Sequence, residues 1–119
     1  MTEIKKTKQY DLEDRTFEFA KKVRLFIKKL PKTIGNIEDS KQVIRSSGSM
    51  GANYIEANEA LSKKDFTMRI KICRKEAKES KYWLKLLDCP ESLEDERRFL
   101  INESDELMKI FSAIMRKSV

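Results

Sequence analysis

Apolar residues recur along this chain at alternating steps of three and four, and breaks in that rhythm divide it into four segments. The first places Leu12, Thr16, Phe19, Val23, Phe26 and Leu30 on one helical face. The third places Phe66, Ile70, Cys73, Ala77, Leu84 and Leu87 there, with Ser80 in the one gap. The fourth runs Leu93, Leu100, Leu107, Phe111 and Ile114, with Arg97 and Ser104 at the intervening steps. Pro31 pushes Leu30 out of helical geometry, and Pro90 does the same to Cys89. Cap spacings start the next segments: the Gly35-Asn36 turn with Asp39, Ser62 with Asp65, and Ser92 with Asp95. These signals predict helices over about 12–30, 37–61, 63–88 and 92–117. Each seam suits a bundle, and short connections between long helices make them antiparallel neighbours. The expected fold is all-α: residues 1–119 form a single domain, an antiparallel up-down-up-down four-helix bundle.

The second segment differs from the others. Its expected inner face reads Ile37, Ser40, Ile44, Ser47, Gly48, Gly51, Ile55 and Asn58, mostly small side chains. Small residues let a neighbouring helix approach closely, at about 1 kcal/mol of helix propensity per glycine. Gly48-Ser49-Met50-Gly51 also has the form of the backbone clamp of KH domains, but that motif needs surrounding strands and none is predicted. Close packing is the reading adopted.

Composition narrows the chemistry. Of 119 residues, 39% are hydrophobic and 39% charged, with only three Gly and two Pro, a mix that suits long helices and not a turn-rich sandwich or barrel. The chain has no histidine, which excludes a Ser-His-Asp triad and any imidazole base or ligand. Glu56, Glu59, Glu103 and Glu106 resemble half of a di-iron set, but such sites draw on Glu-x-x-His pairs. Ser46, Ser47 and Ser49 lack a histidine base, and nothing supports Lys41 in that role. Neither catalysis, a metal nor a cofactor is expected. Two cysteines, Cys73 in a seam and Cys89 at a helix end, cannot form a zinc site or a disulfide framework, so a reduced, cytoplasmic setting is expected. No apolar run reaches membrane-spanning length, no signal-peptide core is evident, and no membrane partner is expected.

Charge is unevenly spread. Lys and Arg total 26 against 20 Asp and Glu, a net of +6, and residues 63–89 alone carry nine basic and four acidic side chains, a net of +5. On a helical wheel Lys64, Lys71, Arg74, Lys75, Lys78, Lys81 and Lys85 share one arc of roughly 120°, with Tyr82 inside it and Trp83 beside the seam. No acidic residue falls in that arc; Asp65, Glu76 and Glu79 lie on the opposite flank. At about 1.5 Å per residue this is a stripe about 30 Å long. Lysines contact phosphates without reading sequence, and an aromatic among them can stack on a base, so RNA or DNA is the expected partner. The plainer alternative is a solvated helix face with Tyr82 packed on a neighbour. Another class of reading is an adaptor whose basic face meets an acidic protein such as a polymerase or reverse transcriptase. A toxin or antitoxin component rests only on small size and positive charge. Phe17, Leu25, Phe99, Ile101 and Ile110 fall outside the seams, which points to a second apolar surface buried by self-association.

Three stretches together resemble one family. Tyr10-Asp11-Leu12-Glu13-Asp14-Arg15-Thr16-Phe17-Glu18-Phe19-Ala20 is similar to the opening of the four-helix-bundle proteins encoded in 23S rRNA intervening sequences. Ile44-Arg45-Ser46-Ser47-Gly48-Ser49-Met50-Gly51-Ala52-Asn53-Tyr54-Ile55-Glu56-Ala57 resembles their second-helix signature. Phe66 with Lys75-Glu76-Ala77-Lys78-Glu79-Ser80-Lys81-Tyr82-Trp83-Leu84-Lys85-Leu86-Leu87 is the third match. The resemblance spans about residues 10–115 and is specific in combination. It implies a homopentamer of four-helix protomers with a basic surface and no enzymatic activity. Arg45, Asn53, Tyr54 and Glu56 would then serve packing or subunit contacts. Relatives include accessory variability proteins of diversity-generating retroelements, which bind nucleic acid and a reverse transcriptase.

Overall fold

The computed structural model describes residues 11–118. The chain forms α1 (Leu12–Lys28), α2 (Ile34–Asn58), α3 (Lys63–Leu86) and α4 (Glu94–Ser118), with one 3-10 turn, Glu91–Leu93, ahead of α4. There is no strand among the described residues. Tyr10, the first residue of the family-like opening, lies outside them.

Local chemistry sets the helix ends. The Asp11 carboxylate accepts the Asp14 N–H at 3.1 Å and caps α1, while Glu13 and Asp14 in its first turn and Lys28 in its last suit the helix dipole. The Ser62 side chain accepts the Asp65 N–H at 3.0 Å, so the cap of α3 is the one the spacing predicts. The start of α2 differs from expectation. Thr33, not Asn36, is its cap, accepting the Asn36 N–H at 3.1 Å, and Gly35 lies inside the helix. Asn36 is buried and serves elsewhere. Its Nδ2 donates to the Pro31 and Asp88 carbonyls at 3.0 and 2.9 Å, and its Oδ1 accepts the Asp88 N–H at 2.8 Å. One side chain thereby ties the α1–α2 loop to the segment after α3. Ser92 does not cap α4 either, because the chain first makes the 3-10 turn.

The C-terminus of α3 is closed from α4. Arg97 donates to the carbonyls of Leu84, Lys85 and Leu87 at 3.2, 3.2 and 2.6 Å and pairs with Glu94 at 2.7 Å. Carbonyls without a partner inside their own helix are satisfied in this way.

Cross-helix pairs run in opposite order along each pair of neighbours, as antiparallel packing requires. Arg15 meets Glu103 and Lys29 meets Glu96 between α1 and α4. Ser46 meets Ser80 and Asn53 meets Arg69 between α2 and α3. The expected all-α four-helix bundle is the observed one. Its core joins Phe19, Val23 and Phe26, Val43 and Met50, Ile70, Cys73, Ala77 and Leu84, and Leu100, Leu107 and Phe111. Ser80 and Ser104 are fully buried at the seam steps that lacked an apolar residue. Ser80 shares a 2.7 Å hydrogen bond with Ser46, and Ser104 donates to the Ile101 carbonyl at 2.7 Å.

The inner face of α2 is not the one its isoleucines suggested. Val43, Ser46, Ser47, Met50 and Ala57 are buried, whereas Ile37, Ile55 and Asn58 are exposed and Ile44 and Gly48 half-buried. The helix carries two weakly apolar stripes separated by roughly one residue step of about 100°. The stripe with Val43 and Met50 faces the core; the stripe with the isoleucines lies along the α1–α2 groove. The close approach expected from the glycines is present at Gly51, where an added Cβ would lie 2.9 Å from Thr16 Oγ1.

A candidate nucleic-acid interface on the third helix

Helix α3 lies between α2 and α4, so its seam faces inward and one side stays open. Two of its three acidic side chains, Glu76 and Glu79, are absorbed on the α2 flank. Glu76 is only 4% exposed; Arg45 contacts it at 3.2 and 3.3 Å and reaches Glu79 at 2.9 Å. Ser49 donates to Glu76 at 3.3 Å, Asn53 donates to the Ser49 carbonyl at 2.9 Å, and Arg69 donates to Asn53 at 2.8 Å. The hydrogen bond to Glu76 pushes the Arg45 pKa above its ordinary value. Arg45 and Asn53 of the family-like signature therefore join α2 to α3.

With Glu76 and Glu79 turned toward α2, the open side is cationic. Lys64, Lys71, Lys75, Lys78 and Lys85 are exposed and Arg74 is half-buried. None of the six makes an ion pair with a carboxylate among the described residues. Lys81 departs from the wheel reading. Its Nζ lies 3.1 Å from Asp105 of α4, which Lys109 also approaches at 3.3 Å. Those two ammonium groups, Lys81 foremost, hold the Asp105 carboxyl below the usual range. A wheel of one helix cannot register a carboxylate from the next, and no local signal marked Asp105. Tyr82 is 59% exposed and does not pack away on a neighbouring helix. Its ring meets that of Trp83 edge-on, with centroids 5.0 Å apart.

The apolar residues outside the seams divide into two groups. Phe17, Leu25 and Phe99 are each more than half exposed, with Lys21 over the Phe17 ring at 5.8 Å and Lys22 over the Phe99 ring at 5.2 Å. Ile101 is half-buried and packs against the core, and Ile110 is half-buried too. Ile101 belongs to the bundle rim, because α4 meets neighbours on both sides of its seam. The sequence reading assigned Ile37 and Ile55 to the interior; both are exposed. Ile55 lines a groove of about 380 Å³ with Phe17, Ala20, Gly48, Gly51 and Ala52.

Neither thiol is activated. Burial pushes Cys73 up to about 12 and raises Cys89 as well. Among the described residues no three His, Cys, Asp or Glu side chains converge as a metal site would need. No described helix is long and apolar enough to cross a membrane.

Comparison with known proteins gives a consistent result. The profile of the family described as 23S rRNA-intervening sequence protein matches residues 8–113. A crystal structure of a protein with unknown function from the S23 ribosomal protein family of Bacteroides thetaiotaomicron superposes with a TM-score of 0.76 and 36% sequence identity. The match covers 87% of this chain and 96% of that one. No curated protein matches the chain.

Proposed function

We propose, from the premise that the chain belongs to the 23S rRNA-intervening sequence protein family, that it is a non-enzymatic, self-associating RNA-binding protein of the cytoplasm. RNA or DNA is held on the open side of α3. One observation carries the reading. Six basic side chains run along one side of a helix with no carboxylate partner among the described residues, while Glu76 and Glu79 of that helix are taken up by Arg45. Placing cations against a polyanion releases condensed counterions, and that term supports affinity without sequence preference. Exposed Phe17, Leu25 and Phe99 support self-association. A ring of copies, five if the family resemblance extends to assembly, would repeat the basic face and concentrate its field.

The test is filter binding of RNA to the triple variant Lys71→Glu, Lys75→Glu, Lys78→Glu. Affinity should fall at least about tenfold for every sequence, and the slope of log affinity against log salt should flatten by about 2–3 units. Unchanged affinity overturns the role of this face. Light scattering of the purified protein tests the assembly, and a monomer would remove the account of Phe17, Leu25 and Phe99.

A further inference from the structure

The basic side of α3 is not uniform along its length. Toward the C-terminal end, Lys78, Lys81, Tyr82, Lys85 and Leu86 line an open depression of about 360 Å³. Tyr82 and Leu86 are 59% and 50% exposed, so an apolar floor sits inside a cationic rim. Lys78 lies one helical turn before Tyr82 and Lys85 just under one turn after it, the spacings at which side chains on one face become neighbours. Lys81 is held aside by Asp105 at 3.1 Å. The Tyr82 ring is braced edge-on by Trp83, and Trp83 is itself half-buried against the core. The Tyr82 ring thus has one edge supported by Trp83 and remains 59% exposed.

We propose that this depression is a subsite for one unpaired base, stacked on Tyr82 with the flanking phosphates on Lys78 and Lys85, so that the protein favours single-stranded or looped nucleic acid over continuous duplex. The proposal rests on the reading that α3 binds nucleic acid and goes beyond it in naming the class of substrate. A duplex keeps its base faces inside the stack and offers phosphates and groove edges. Against such a surface the Tyr82 ring and Leu86 would gain no stacking partner, and would lie next to a hydrated, charged backbone. An unpaired base presents a π-face that an aromatic ring can cover whatever the base. The lysines at the other end of the stripe, Lys64 through Lys75, meet phosphates of either form. Discrimination thus falls to the Tyr82 end. The edge contact with Trp83 reduces the side-chain freedom that binding would otherwise remove.

Fluorescence anisotropy of the 119-residue chain at one salt concentration tests this. Three labelled probes of equal length are used: an unstructured single-stranded RNA, a single-stranded DNA of the same sequence, and the corresponding blunt RNA duplex. The wild-type protein should bind both single strands more tightly than the duplex. Tyr82→Ala should weaken the single strands about tenfold and the duplex by less than about twofold, and Tyr82→Phe should restore most of the loss. Tyr82 is exposed, so the variants should stay helical, and circular dichroism is the check. If Tyr82→Ala affects all probes alike or none, or if the wild type prefers duplex, the subsite is overturned. When Lys71→Glu, Lys75→Glu weakens every probe and Tyr82→Ala weakens none, the subsite fails while the basic face stands. If the wild type binds no probe, both fall together.

Discussion

The packing of α1 against α2 can be tested with three glycines in one helix. All three glycines of the chain lie in α2, and alanine at an unobstructed helical site stabilises by up to about 1 kcal/mol. A Cβ at Gly35 would meet nothing within 4 Å, and one at Gly48 only the Arg24 guanidinium at 3.8 Å, an ordinary contact. At Gly51 it would meet Thr16 Oγ1 at 2.9 Å and Thr16 Cβ at 3.3 Å. Thr16 cannot easily yield. It is fully buried, and its hydroxyl donates to the Leu12 and Glu13 carbonyls at 2.8 and 3.1 Å. Relief must come from shifting α1, and overpacking of that kind costs about 1–3 kcal/mol. The propensity gain offsets part of it, so Gly51→Ala should destabilise by about 1 kcal/mol while Gly48→Ala stabilises by about 0.5–1 kcal/mol. The assay is urea unfolding followed by circular dichroism at fixed protein concentration. With a slope near 2 kcal/mol/M the two midpoints should differ by about 1 M, with slopes unchanged. In a Thr16→Ala background the 2.9 Å contact is gone, and the penalty of Gly51→Ala should shrink by about 1 kcal/mol. If Gly51→Ala raises the midpoint as much as Gly48→Ala does, the close approach of the two helices is wrong.

Other consequences follow from particular contacts. Asp105→Asn releases Lys81 from its 3.1 Å pair, so RNA affinity should rise and the salt slope steepen by about 1 unit; weaker binding would mean that Lys81 does not belong to the face. Arg97→Ala strips the hydrogen bonds that close α3 and should lower stability by about 2 kcal/mol in urea unfolding, with Arg97→Lys recovering little because an ammonium lacks the planar fork. The Asp105 carboxyl should titrate below the ordinary aspartate value of about 3.9 in a carbon-detected NMR experiment, returning further toward it in Lys81→Ala than in Lys109→Ala. Its ionised form is the one the fold favours, so its contribution to stability is present above about pH 4 and lost as pH falls through the lowered value.

Much of the bundle is legible in the chain alone. The seams of α1, α3 and α4 repeat with the helical period, and even Ser80 and Ser104 fall where the pattern leaves a place for them. The segregation of lysines from glutamates along α3 is legible for the same reason, since both are properties of one helix turned about its own axis. The start of α3 was legible because Ser62 bonds to its own first turn with the spacing expected, whereas the equally local Thr33 cap of α2 was passed over for Asn36. Asn36 misled because its amide is spent on Pro31 and Asp88, the latter 52 positions away.

What periodicity cannot supply is the identity of the neighbour. Two stripes of similar hydropathy on α2 left its orientation undecided, and only the positions of α1 and α3 determined that Met50 turns inward and Ile55 outward. Ile101 looked surplus until a second helix flanked it, and Lys81 looked free until Asp105 arrived from α4. A helical wheel records angles within one element, whereas burial and ion pairing depend on the distance between elements. The four helices and the cationic stripe therefore belong to the sequence, and the tertiary arrangement decides which of its charges remain open to a ligand.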